Sequence, residues 1–213
     1  MLVIGITGGI GSGKSLVTSI LKDKFGAGII DTDTVAKELM KPGGRGYINV
    51  VNAFGDEILS ENGTIDNKKL SDIVFNDSRK LALLDSLTHP LVSDNVDLMI
   101  LMNRQEEFAY TAVETALLIE AGYAKKCDRI WYVYADRETR LKRLAESRGM
   151  DRDKAEAVIS KQASEDAFRN IADDVIDNSG TPESTELQIK GILDRYTKDR
   201  CKLKTGRKMV DFE

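Results

Sequence analysis

Cysteine and histidine are scarce in this 213-residue chain: Cys127 and Cys201 stand in unrelated contexts, and His89 is the one histidine. With no Cys-x-x-Cys and no second histidine, neither a zinc site nor a disulfide framework is supported. No apolar run approaches the ~18 residues of a membrane span. The first residues enter an apolar strand pattern directly, with no basic segment or cleavage site before it, so the cytoplasm is the expected location. An excess of positive charge is missing too. The net charge is −4, which argues against nucleic acid or an anionic membrane as the main partner. What remains is the composition of a water-soluble globular chain, with 31% charged and 41% hydrophobic residues. Its length suits one domain with insertions, or two small ones.

Against these absences stands one dense motif. Gly8-Gly9-Ile10-Gly11-Ser12-Gly13-Lys14-Ser15 matches G-x-x-x-x-G-K-[ST], the P-loop of nucleoside triphosphate sites. Its glycines let the backbone fold tightly enough to aim N–H groups at phosphate oxygens. Lys14 is expected at the β- and γ-phosphates and the Ser15 hydroxyl at Mg²⁺. The flanks agree with the motif. Leu2 to Thr7 reads as a buried strand, and Val17, Ile20, Leu21 and Phe25 recur at helical spacing. A helix starting at the loop adds the positive end of its dipole to the anion site.

Further along, Gly28-Ile29-Ile30-Asp31 reads as a second strand. Strand patterns follow at Phe108–Val113, Ile130–Tyr134 and Asp174–Asp177. Between residues 38 and 105 the apolar spacing is helical, at Leu70, Ile73 and Val74, at Leu81, Leu84 and Leu87, and at Val92, Val96, Met99 and Ile100. This predicts a helical insertion in an α/β core. Thr181 and Pro182 predict the N-cap and first residue of a last helix, with an apolar face of Ile189, Ile192, Leu193 and Tyr196. Strands separated by helices imply a parallel sheet, whose ligands sit beyond the carboxyl ends of its strands. Gly5 to Ser15, Asp31 and Glu114 all fall at such ends.

Residues 137–161 carry eight Lys/Arg against five Asp/Glu, and Arg137, Arg140 and Arg143 share one side of a helix. This segment is either a solvated face laced with i,i+4 pairs or a cationic lid over phosphates; the P-loop in the same chain favours the lid. A phosphoryl transferase also needs a group to orient or deprotonate the acceptor hydroxyl. Asp31-Thr32-Asp33 supplies two acids aimed differently, although Asp33 also fits the N-cap of the helix that follows. Glu114 and Glu120 are either metal-side acids or helix-start acids, and His89-Pro90 fits a structural role as well as a binding one.

Taken in order, these residues resemble the dephospho-coenzyme A kinases over nearly the whole chain. The resemblance rests on Ile4–Ser15, Asp31-Thr32-Asp33, Phe54-Gly55, Gly63–Asp66, His89-Pro90, Leu117–Glu120, Arg143, Gln162 and Ala172–Gly180. It implies a P-loop kinase of three layers, α/β/α, around a parallel five-stranded sheet. A nucleotide-binding core would comprise 1–37, 106–136 and 165–213, with a helical acceptor domain over 38–105 and a lid over 137–164. It implies transfer of the ATP γ-phosphoryl to the ribose 3′-hydroxyl of dephospho-CoA with Mg²⁺, the last step of coenzyme A synthesis. By family likeness Asp33 is the acceptor-side base, and Lys14 and Arg143 carry phosphate charge, with Arg148 a weaker candidate. Gly8, Gly9, Ile10, Gly11, Ser12, Gly13, Lys14, Ser15, Leu16 and Arg143 would bind ATP. Asp31, Asp33, Lys37, His89 and Glu120 would bind the acceptor, with Ser15 at the metal. The chain departs from the family in places. Lys37 stands where many members have Arg, Ala116 for Pro, Leu16 for Thr, Arg140 for Gln and Gly149 for Asp.

Two other readings stay open. One is a kinase acting on another nucleoside or small alcohol, since a P-loop and lid serve many acceptors. The other is a nucleotide switch without transfer. A GTPase is disfavoured because Asn67-Lys68 is followed by Lys69-Leu70, not by the guanine-reading x-Asp. The basic tail Lys198–Lys208 holds six Lys/Arg without interleaved aromatics and fits a solvated end better than a nucleic-acid or lipid site. A small-molecule acceptor, and a monomer or weak homo-oligomer, are expected.

Overall fold

The computed structural model describes residues 1–75, 77–115, 118 and 122–205, and the side chains as far as 198. Among them, strands β1 (Leu2–Thr7), β2 (Gly28–Asp31), β3 (Tyr110–Glu114), β4 (Arg129–Tyr134) and β5 (Asp174–Asp177) form one parallel sheet in the order β2-β3-β1-β4-β5. The expected strands are present, with β3 displaced toward Glu114 and β4 beginning one residue early. The chain divides into two compact units. One comprises Met1–Gly5 with Gly26–Asp128, the other Ile6–Phe25 with Arg129–Glu213.

In the first unit, β2 and β3 pair in register from Gly28 opposite Thr111 to Asp31 opposite Glu114. Ile30, Ala112 and Val113 are fully buried, the last two on opposite faces of the sheet. Helices α2 (Thr32–Leu39), α3 (Arg45–Phe54), α4 (Asn67–Phe75) and α5 (Ser78–Gln105) follow. Val50, Phe54, Ile58, Leu70 and Val74 make a compact core among them, flanked by Leu84 and Leu87. Of the periodic positions, Leu70, Val74, Val92, Val96 and Ile100 are buried, Leu84 and Leu87 flank the core, and Leu81 is exposed. The two apolar sets on either side of His89-Pro90 lie on a single helix, α5. It starts at Asp77, whose carboxylate accepts from the Arg79 and Lys80 N–H groups, and it runs through Pro90. The proline removes one intrahelical bond, and burial of Leu91, Val92, Val96 and Ile100 beyond it holds the helix together.

In the second unit, α1 (Lys14–Phe25) buries Val17, Ile20 and Leu21. Helix α9 (Pro182–Thr205) buries Ile189, Ile192 and Leu193. Pro182 is its first residue, and the Thr181 hydroxyl accepts from the Ser184 N–H. Trp131, at the centre of β4, is fully buried, and its indole N–H donates to the Tyr196 hydroxyl on α9. That hydroxyl in turn donates to the Asp174 carboxylate at the start of β5. Helices α6 (Arg137–Arg148), α7 (Arg152–Ser160) and α8 (Glu165–Ile171) connect β4 to β5. Asp136 caps α6, accepting from the Thr139 N–H and hydroxyl; these bonds hold its carboxyl below the usual range. Gly149 ends α6 in the left-handed conformation at φ 58°. Among the described residues no helix is long and apolar enough to cross a membrane.

Candidate active site

The phosphate loop joins β1 to α1. Its turn is closed by the Ser12 N–H donating to the Gly9 carbonyl at 3.1 Å. Gly13 sits at φ 86°, and a Cβ there would lie 2.2 Å from Asn178 Nδ2, so no other residue fits. The N–H groups of Gly9, Gly11 and Gly13 donate to no described residue. Thr7 Oγ1 and Ser12 Oγ are buried and unpaired among the described residues. Buried donors are nearly always satisfied, so this concentration marks a site for an anion with many acceptor oxygens. Lys14 Nζ donates to the Gly8 carbonyl at 2.9 Å, which keeps the ammonium on the loop. Ser15 begins the second residue of α1, where the helix dipole is positive.

The segment 137–164 is hydrogen-bonded to this loop. Arg143 Nη1 donates to the Ser12 carbonyl at 3.2 Å and to the Gly11 carbonyl at 3.5 Å; Nη2 donates to the Asn178 carbonyl at 2.8 Å. The guanidinium expected to carry phosphate charge is thus turned to carbonyl oxygens. Asn178, at the end of β5, donates its side-chain amide to the Ser12 carbonyl at 2.8 Å and accepts from the Thr185 hydroxyl at 2.9 Å. Arg140 Nε donates to the Ile10 carbonyl at 2.8 Å, and Nη2 donates to Gln162 Oε1 at 2.9 Å. The same Gln162 oxygen accepts the Ile10 N–H at 2.9 Å. The Ile10 side chain packs on Leu141, Leu144 and Ala155, the core between α6 and α7. Arg148 is exposed and makes no ion pair or hydrogen bond with a described residue. By contrast, Arg152 bridges Glu138 at 2.6 Å and Glu156 at 3.3 Å, and Arg137 joins Glu156 at 3.3 Å. These exposed pairs fix α7 on α6, each contributing little singly.

The acceptor-side candidates lie in the other unit. Asp31 ends β2 and Glu114 ends β3, directly opposite in register. The cap of α2 is Asp31 rather than Asp33. Its two carboxylate oxygens accept from the Asp33 N–H at 3.0 Å and the Thr34 hydroxyl at 2.5 Å. The physical reason is backbone geometry: Asp31 keeps the extended φ −97° and ψ 110° of a strand end, whereas Thr32 is already helical. Asp33, in the first turn, is exposed and pairs with no described residue. Lys37 is exposed one turn further along α2. It lines a cleft of about 240 Å³ with Ala36, Met40, Leu84, Thr88 and Leu91, a largely apolar surface with Lys37 and Asp85 among its polar groups. His89 Nε2 lies 3.6 Å from the Asp85 carboxylate. Glu120 lies outside the described residues.

No group of three or more His, Cys, Asp or Glu among the described residues could hold a metal ion. A divalent cation here would take one ligand from Ser15 and others from phosphate oxygens and water, the usual habit of magnesium. The residues that sequence spacing alone did not single out for the loop are Arg140, Gln162 and Asn178. Gln162 and Asn178 stood among the resembling positions without a role, and Arg140 stood both on the face of the expected cationic lid and as a departure from the family.

The dephospho-CoA kinase family model matches residues 2–183. A dephospho-CoA kinase of Geobacter metallireducens is 44% identical over 189 residues, 89% of this chain and 94% of that protein. One from Geobacter sulfurreducens is 40% identical over 192 residues, 90% of this chain and 97% of that protein. The crystal structure of TT1252 from Thermus thermophilus superposes with a TM-score of 0.75 at 28% identity, covering 91% of this chain and 97% of that one.

Proposed function

The chain belongs to the dephospho-CoA kinase family, and we propose that it moves the γ-phosphoryl of ATP to the ribose 3′-hydroxyl of dephospho-CoA. The products are CoA and ADP. The observation that supports this reading most directly is the phosphate loop, whose Gly9, Gly11 and Gly13 N–H groups donate to no described residue, beside the Lys14 ammonium.

Residues 1–37, 106–136 and 165–213 form the donor core in this reading, 38–105 the acceptor domain and 137–164 the lid. The loop from Gly8 to Leu16 holds the triphosphate by backbone donors. Lys14 neutralises charge that builds on the transferring oxygens. Arg143 shapes the loop from its carbonyl side, and Arg148, without a partner among the described residues, is the lid cation open to phosphate. Ser15 would hold magnesium together with the nucleotide, and the ion would supply neutralisation of phosphate charge. Asp33 takes the proton of the acceptor hydroxyl. It is suited to this because Asp31 caps α2, and the Asp33 carboxylate on the first turn pairs with no described residue. Lys37 and Asp85 line the apolar cleft of the helical unit, with His89 beside Asp85, and the cleft suits the amide-bearing arm of the acceptor.

A coupled assay of ADP release tests the reading. Turnover is expected to rise well above the acceptor-free rate when dephospho-CoA is added. Equal rates with and without it would point to the nucleotide switch. Turnover confined to another alcohol in an acceptor panel would reassign the substrate.

A further inference from the structure

We infer that Arg140 is a second donor-side cation, latched onto the phosphate loop through Ile10 and Gln162 so that its guanidinium bears on the ATP γ-phosphate beside Lys14. The inference rests on the loop's being the ATP site.

The first ground is placement. Three hydrogen bonds close a ring: Arg140 Nε to the Ile10 carbonyl, Arg140 Nη2 to Gln162 Oε1, and the Ile10 N–H to the same oxygen. The guanidinium presses on Gly9. A Cβ on that glycine would lie 2.4 Å from Nη2 and 2.8 Å from Cζ. Lys14 Nζ rests on the carbonyl of the preceding residue, Gly8. Two cations therefore bear on consecutive residues of one loop, Gly8 and Gly9, and the Gly9 N–H donates to no described residue.

The second ground is charge. Both partners of Arg140 are neutral oxygens, and it pairs with no carboxylate among the described residues. Its neighbours in the same segment, Arg137 and Arg152, are paired with Glu138 and Glu156. Burial disfavours the charged form of Arg140, pulling its pKa below the ordinary arginine value. A half-buried charge with neutral partners is unfavourable until an anion arrives. A guanidinium has five N–H donors, and only two are used here. Arg143 differs, because three main-chain carbonyls already face it.

The test is calorimetry on the full-length protein with magnesium-ATP and magnesium-ADP. Wild type must first take up ATP; no uptake overturns both the site and the inference. Arg140→Gln is expected to weaken ATP roughly tenfold or more while ADP weakens much less, with the KM for dephospho-CoA unchanged. Arg140→Lys keeps the charge and recovers part of the ATP preference. Gln162→Ala loosens the latch without removing charge, so ATP is expected to weaken in the same sense as in Arg140→Gln but less, with ADP changed less still. If Arg140→Gln weakens ATP and ADP by the same factor, or neither, Arg140 is a structural brace and the inference fails. Should that variant not fold, Arg140→Met, which keeps the apolar stem, decides the same ATP-to-ADP ratio.

Discussion

Asn178 Nδ2 and the Ser12 carbonyl oxygen stand 2.8 Å apart in the protein interior, joining the end of β5 to the middle of the phosphate loop. The same side chain accepts from Thr185, and its own N–H donates to the Tyr134 carbonyl. Asn178→Ala leaves buried polar groups short of partners, which costs about 1–3 kcal/mol. A lower melting temperature is expected, together with weaker ATP binding from a loosened loop. Wild-type melting and wild-type affinity together would show that Arg143 alone suffices to hold Ser12.

The acids at the start of α2 should separate by phenotype. Asp33→Ala is expected to lower kcat by roughly 10²-fold or more, the scale of a lost general base, with little change in stability. Asp31→Ala removes an N-cap and should cost about 1 kcal/mol of stability. Stopped assays and thermal melts on both variants check the assignment. Near-full activity in Asp33→Ala would remove it from the proton-transfer role.

Lys14→Ala should lose roughly 10²-fold or more in kcat, as expected for a removed charge stabiliser. Steady-state rates at saturating ATP give the answer, because a change confined to KM would instead mark uniform binding.

Filling the cleft on α2 and α5 should discriminate between substrates. Ala36→Phe places a ring into a space of about 240 Å³. The KM for dephospho-CoA is expected to rise by roughly tenfold, a scale set by steric exclusion of a few apolar groups, and ATP affinity to stay as it was. An unchanged acceptor KM would place the acceptor elsewhere on the helical unit.

Alkaline pH should reveal Cys127. Burial, chiefly, pushes its thiol up to about 12, and Sγ donates to the Tyr123 carbonyl. The native state keeps the proton that the unfolded chain releases near pH 9. The stabilisation is therefore full below that value and is lost as pH rises toward 12. Tyr123, Tyr132 and Tyr196, each raised first by burial, act in the same sense. Denaturant midpoints of wild type and Cys127→Ala should converge with rising pH, and alkylation of native protein near pH 8 should spare Cys127. Prompt labelling there would contradict the buried, protonated thiol.

The legible parts were those with local signals. Strand β1, the loop and α1 follow from one contiguous pattern, β5 matches its expected span, and Pro182 opens α9 as its preference for that position predicts. The capping of α2 was misplaced by two residues, because Asp31 and Asp33 both suit an N-cap and only the strand-like backbone at Asp31 decides. The continuity of α5 through Pro90 was hidden because tertiary burial outweighs the local penalty. The grip on the loop was invisible for a different reason. Arg140 meets Ile10 across 130 positions and Asn178 meets Ser12 across 166, distances over which spacing carries no information.

The lone indole of Trp131 offers a built-in optical probe. It is fully buried in β4, and its N–H is bound to Tyr196 in the same unit. Its fluorescence therefore reports unfolding of the half that carries the phosphate loop, whereas the helical half contains no tryptophan. A melt followed by emission and one followed by circular dichroism would coincide only if both halves come apart in a single cooperative transition.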